Sequence, residues 1–90
     1  MAHNMESFKD RYVVVDTDSN FIYIGKLKII DRDYIVLNDV DVHDSRESPS
    51  VKEKYLIDSK RYGVRVNRRK VCIRMEKVIS LSALDDIIEY

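Results

Sequence analysis

Ninety residues with 16 basic and 16 acidic side chains, one cysteine and two histidines set narrow bounds. A chain this short buries only about 60% of the surface it exposes unfolded, so its own core is marginal. One thiol excludes a disulfide framework, one Cys with two His cannot supply a four-ligand structural zinc site, and no run of about 18 apolar residues is present to span a membrane.

In chain order, Met1 to Asn4 reads as a disordered arm. Glu6 to Arg11 reads as one or two helical turns anchored by Phe8. Tyr12-Val-Val-Val-Asp16 is a strand by its β-branched content. Thr17-Asp-Ser-Asn20 is a cluster of turn formers. Phe21 to Ile30 is the longest predicted strand, with Phe21, Tyr23, Gly25, Leu27 and Ile29 on one face and Lys26 and Lys28 on the other. A glycine on the apolar face marks a sharp bend or a close approach by a neighbouring strand. Asp31-Arg-Asp33 is a short turn, so the next strand, Tyr34 to Val42, pairs antiparallel. In it Tyr34, Val36, Val40 and Val42 alternate.

His43 to Ser48 is a polar loop. Ser48-Pro49 then has the pattern of an N-cap followed by proline at the first helical position, and Gly63 suits the exit. Pro49 to Tyr62 is therefore predicted to be a helix, with Val51, Tyr55 and Tyr62 on one stripe. Val64 to Val66 and Val71 to Met75 alternate as strands, out of phase across Asn67 to Lys70, where a bend or bulge is expected. Val78 to Leu81 is a last short strand. Ser82 with Asp85 resembles a capping box, and Leu84, Ile87 and Ile88 follow at helical spacing, which predicts a short C-terminal helix over 82–90.

The zero net charge hides an asymmetry. Lys60 to Lys77 holds eight basic residues and one acidic, Glu76. Asp31 to Asp58 holds eight acidic and four basic. Such a split suits either an anion-binding face or complementary surfaces that dock copies of the chain.

Gly25-Lys-Leu27, Asp31 and Leu37-Asn-Asp39, followed by an insert and then Ile73-Arg74-Met-Glu-Lys-Val78, resemble the two ordered motifs of the Sm/LSm family, which includes bacterial Hfq. The resemblance covers roughly Tyr12 to Leu81. It implies a mainly β fold: a small, bent, five-stranded antiparallel barrel, with a helical insertion at about 49–62 in the family's variable loop. One Sm-like domain is expected over 1–90, with an N-terminal arm or short helix at 1–11, the barrel at 12–81 and the C-terminal helix at 82–90. It also implies rings, in which the fourth strand of one subunit pairs with the fifth of the next. Two departures stand out. The first-motif turn lacks the Sm asparagine, and Met75 replaces the glycine usual after Ile-Arg.

By this analogy Arg32 and Tyr34 share a site with Arg74 and Lys77. A guanidinium can stack on or hydrogen-bond a base, and a tyrosine can serve as a stacking platform. Arg65, Arg68, Arg69 and Lys70 are candidates to neutralise phosphates; the alternative is that they pair with the acidic stretch of a neighbouring subunit. Asp39, Asp41 and His43 alternate and could face a hard cation, but read more simply as the solvated face of a strand. Cys72 reads as a core or half-core residue. No catalytic residue, metal or cofactor is expected.

The function expected is therefore a cytoplasmic, homo-oligomeric Sm-like ring that binds RNA or single-stranded DNA, is not an enzyme and has no membrane association. The alternative is a ring-forming structural or adaptor module that binds protein and no nucleic acid. A hydrolase using the aspartates lacks a paired acid and base motif.

Overall fold

The computed structural model describes residues 5–89; the arm expected at residues 1–4 lies outside them. A 3-10 turn, Glu6–Phe8, leads into β1 (Tyr12–Thr17), β2 (Phe21–Ile30) and β3 (Tyr34–Asp44). Helix α1 (Pro49–Tyr62) precedes β4 (Arg68–Arg74), a 3-10 turn (Met75–Lys77), β5 (Val78–Ala83) and a last 3-10 turn (Leu84–Asp86). The five strands make one antiparallel sheet in the order β4-β3-β2-β1-β5.

That order forces curvature. β4 and β5 are the two edges, yet only Met75–Lys77 separates them in sequence. Four residue steps span at most about 14 Å. The edges of a flat five-stranded sheet would lie roughly 19 Å apart. The sheet is therefore open but strongly bent, so that its edges approach at the end where Arg74 meets Val78.

The bend has a local cause. The β2–β3 register shifts between Ile24 and Lys26 and again between Leu27 and Ile29. Between the first pair lies Gly25, where an added Cβ would sit 3.0 Å from Val40 Cγ2, 3.1 Å from Leu37 Cβ and 3.2 Å from the Asn38 carbonyl oxygen. Opposite, Asp39 takes a left-handed conformation (φ 52°), which aspartate tolerates better than most residues. Bulge and glycine together tighten the twist.

Two apolar layers result. The inner one holds Val13, Val15, Leu27, Ile35, Leu37, Val40 and Ile73, with Phe8 and Tyr23 packed against it. The outer one joins Val14, Ile22 and Ile24 to Leu56 of α1 and to Leu84. This explains the unbroken Val13-Val14-Val15 run: both faces of β1 are covered, as a continuous apolar strand requires.

Several assignments of faces shift accordingly. Ile29 is exposed, because the register change after Leu27 turns it out of the core. On β3, Ile35 and Leu37 face inward, and the Asp39 kink hands that role to Val40 and Val42. On α1 the buried residues are Leu56 and Ser59, with Tyr55 packed beside them, while Val51 and Tyr62 are exposed. Cys72 is exposed, not in the core. Val64 to Asn67 forms an extended strap outside the sheet. Ser82 lies in β5 opposite Val14, so the helix expected from 82 shrinks to the turn Leu84–Asp86.

The helix itself follows its capping signals. Ser48 Oγ accepts the Val51 N–H at 3.4 Å, Pro49 opens the first turn, and Gly63 closes the last with φ 102°. Lys60 and Arg61 sit in the final turn, where cations complement the helix dipole.

Candidate nucleic-acid interface

The sheet brings the predicted residues together in two groups. The first lies at the bent end. The Asp31-Arg-Asp-Tyr34 turn is stapled by the Asp31 N–H donating to the Tyr34 carbonyl (2.9 Å) and by Asp31 Oδ1 accepting the Asp33 N–H (3.0 Å). Tyr34 is the cross-strand partner of Arg74, and the Met75 N–H donates to the Asp33 carbonyl at 2.8 Å. Backbone pairing thus docks the β2–β3 turn onto the β4–β5 connection. Arg32, Asp33, Arg74, Met75 and Glu76 line the shallow cleft between them. Lys77 and Arg74 flank a second cleft with Thr17, Ser19 and Tyr23, and the Asp18 N–H donates to the Lys77 carbonyl at 2.8 Å.

Arg32, Tyr34, Arg74 and Lys77 therefore share one end of the sheet. Their charge is not left bare. Arg74 Nε lies 3.1 Å from Glu76 Oε1, both side chains being well exposed. Asp18, Asp31 and Asp33 add three further carboxylates to this end. It offers an exposed ring and hydrogen-bonding groups, not a concentrated positive field.

The second group lies at the opposite end of β4. Arg68, Arg69 and Lys70 are all exposed. Six residue steps separate Arg68 from Arg74 along β4, roughly 20 Å. Arg68 Nη1 donates to its neighbour's carbonyl, that of Asn67, at 2.9 Å. Among the described residues, no carboxylate pairs with Arg65, Arg68, Arg69 or Lys70. Among the described residues the basic run thus makes no ion pair with the acidic stretch, although Asp39 lies beside it on β3.

Sequence reasoning did not single out the network that positions this patch. Asp41 is buried, and its carboxylate is fully engaged. Oδ2 accepts the Tyr55 hydroxyl at 2.9 Å, and Oδ1 accepts from Asn67 Nδ2 at 3.1 Å. Asn67 also meets the backbone of Val42 like a strand partner: Oδ1 accepts its N–H at 3.0 Å, and Nδ2 donates to its carbonyl at 3.2 Å. The Asn67 N–H donates to the Val40 carbonyl at 2.9 Å. The carboxamide therefore ends the β3–β4 ladder and fixes where the basic run begins.

On the same side, the Tyr55 ring stacks on His43 with centroids 3.6 Å apart and planes 9° apart, and His43 Nε2 lies 2.6 Å from Glu47 Oε1. Burial first, and then the Asp41 carboxylate, hold the Tyr55 hydroxyl well above its usual pKa. It stays a neutral donor. The cation site considered for Asp39, Asp41 and His43 is not formed: both Asp41 oxygens are used, and no cluster of three candidate ligands occurs among the described residues. The one sequence signal for this network was the phase slip at Asn67.

Comparison with solved structures gives the same architecture. About 90% of the chain aligns with 93% of an Sm protein of Pyrococcus abyssii, solved in complex with a uridine heptamer, at a TM-score of 0.63 and 21% identity. Likewise 88% aligns with 82% of a chain of the NatC complex bound to CoA, at a TM-score of 0.59 and 15% identity. No protein-family model matches the chain, and no curated protein matches it in sequence. The chain has a divergent Sm-like fold. Among the described residues no helix is long and apolar enough to cross a membrane.

Proposed function

We propose that the protein is a cytoplasmic Sm-like module that binds single-stranded RNA, or single-stranded nucleic acid more broadly, as a homo-oligomeric ring. The observation that carries this reading is the set of four exposed cations, Arg65, Arg68, Arg69 and Lys70, none of which has a carboxylate partner within the described chain. They lie beyond a turn end that presents Arg32, Tyr34, Arg74 and Lys77. Phosphate contacts give affinity without sequence information, and an aromatic face adds stacking. The uridine heptamer bound by the Pyrococcus abyssii Sm protein supports the same ligand class.

The ring rests on the two open edges, β4 and β5. Unpaired edges template pairing with another chain, and head-to-tail pairing of unlike edges closes into a ring when the rotation permits. Ile79 on β5 is 70% exposed, which suits burial in such a contact. A ring multiplies individually weak sites. Each subunit acts as one Sm-like domain, and no catalytic role is assigned.

A second reading is an adaptor ring that binds protein and no nucleic acid. The likeness to a chain of the NatC complex and the carboxylates at the turn end favour it. Sedimentation analysis, with fluorescence anisotropy on short RNA and DNA strands, separates the two. The expected result is an oligomer whose RNA binding weakens as salt rises. An oligomer that binds neither strand at low salt would establish the adaptor reading instead, and a monodisperse 10.6 kDa monomer would remove the ring.

A further inference from the structure

The insertion that separates β3 from β4 does more than cover the sheet. α1 and the Val64–Asn67 strap form the two walls of a groove, lined on its open side by Val51, Lys54, Tyr62, Arg65 and Val66. Tyr62 is 78% exposed, the most exposed of the large apolar or aromatic side chains among the described residues. Val51 and Val66 are about half exposed beside it, at 51% and 49%. A tyrosine so presented in the last turn of a helix contributes nothing to the core below it.

The charges of the groove divide unevenly. Of its carboxylates, Asp58 is ion-paired with Lys54 at 2.7 Å, while Asp41 is buried and hydrogen-bonded by the neutral Tyr55 and Asn67 side chains. Tyr62 and Arg65 also line a neighbouring cleft with Glu53, Asp58 and Glu89, where Glu89 is held by Arg61 and approached by Lys60 at 3.9 Å. Hydrogen bonding to Glu89 first, then to Tyr62, holds the Arg61 pKa above its ordinary value. Arg65 has no hydrogen bond or ion pair among the described residues. Three residues further on, the strap delivers the chain into Arg68, Arg69 and Lys70. The groove thus combines one exposed aromatic face, one free guanidinium and a continuous run of cations without ion pairs leading away from it.

We infer that this groove is a second contact for single-stranded nucleic acid, separate from the turn end. A base stacks on Tyr62, and Arg65 neutralises the adjoining phosphate. The strand then follows the strap to Arg68, Arg69 and Lys70. This rests on the proposed nucleic-acid function and extends it to the inserted helix. Stacking on an aromatic face is tolerant of base identity, and a guanidinium suits phosphate geometrically. Charge complementarity favours a polyanion over a peptide, because Arg65, Arg68, Arg69 and Lys70 have no ion pair among the described residues and outnumber Glu53, the one unpaired carboxylate on the adjoining cleft.

Substitution at exposed positions gives a clean test, with circular dichroism confirming that each variant keeps the parent fold. Anisotropy would compare the full-length parent, Tyr62→Ala, Arg65→Ala and Tyr34→Ala on an RNA 12-mer and on a 4-mer. Tyr62→Ala is expected to weaken binding of the 12-mer about tenfold. Arg65→Ala is expected to lower its salt slope. A 12-mer carrying photoreactive thiouridine is expected to crosslink to the peptide containing Tyr62. If the parent binds RNA, yet Tyr62→Ala and Arg65→Ala bind as the parent does and no crosslink maps to this peptide, the groove contact is wrong while the turn-end function stands. If the parent binds no strand at all, the wider function fails first and the groove assignment falls with it. A protein partner that loses binding to Tyr62→Ala while RNA binding is unchanged would likewise overturn the assignment and give this face to a protein.

Discussion

The two ends of β4 use the same residue types to different effect. At one end Arg74, with Arg32 and Lys77, surrounds the exposed Tyr34, but Asp18, Asp31, Asp33 and Glu76 crowd the same surface. At the other, Arg68, Arg69 and Lys70 have no ion pair among the described residues, with only Asp39 near them on the paired strand, and Arg65 and Tyr62 adjoin them across the strap. Exposed ion pairs are individually worth little, so the contrast is not one of stability. It lies in the field each end presents to a ligand. The turn end is organised for contact at short range, and the strap end for long-range attraction to a polyanion.

The largest effect expected is on the bend that brings Tyr34 and Arg74 into register. Gly25→Val places methyl groups where even a Cβ is 3.0–3.2 Å from Val40, Leu37 and Asn38. Overpacking of this kind costs about 1–3 kcal/mol, a large share of what a small domain has, and thermal denaturation should show an earlier transition. An unchanged melting temperature would separate the turn end from the bend.

Asn67→Ala strikes the strap end in a similar way. It leaves Asp41 Oδ1 and both backbone groups of Val42 without their partner. An unpaired buried polar group costs about 1–3 kcal/mol, lessened here by the exposure of Asn67. Amide exchange should speed up first at Val42 and along the start of β4. Uniform protection would mean that Asn67 does not terminate the ladder.

Binding variants compare the two ends directly. Arg68→Ala combined with Arg69→Ala should reduce the steepness of the log–log salt dependence by about 1.4, at roughly 0.7 per phosphate contact on a single strand. Tyr34→Ala should lower affinity while keeping the slope nearly parental, because stacking releases few counterions. Equal changes of slope in both variants would erase the distinction between the ends.

The smallest effect concerns a carboxylate remote from both. Hydrogen bonds from the Arg46 side chain and backbone, the latter at 3.0 Å, hold the Asp44 carboxyl down at about 2. A depressed carboxylate stabilises the fold above its unfolded pKa of 3.8, and that contribution is lost as pH falls through about 2. The pair is exposed, so the change is slight. Arg46→Ala should raise the Asp44 midpoint towards 3.8 in an NMR titration, without altering RNA binding at neutral pH.

Much of the architecture was legible in the chain because its signals are local. Ser48-Pro49 and Gly63 mark the ends of α1 as observed. The β-branched runs and short turns marked the five strands, and Gly25 marked the tight crossing, but the strand expected at Val64 to Val66 is not formed and β4 begins at Arg68, inside the expected bend. The turn-end group was legible through the resemblance, which set the two motif turns together; the structure pairs Tyr34 with Arg74.

What the chain by itself determined, then, is the order and type of elements, through periodicity, caps and turns that act over a few residues. The tertiary structure decided which faces are buried and where charge remains free. Val13 to Val15 is covered on both sides only because α1 folds back over the sheet. Asp39 changes the phase of β3 only because β2 presents Gly25 across from it. The groove beside Tyr62 exists only because Asn67 reaches Asp41 and Val42, residues 26 and 25 positions away. Contacts at such separations leave no period in a sequence; they are set by register and by the need to satisfy buried polar groups once the sheet has bent.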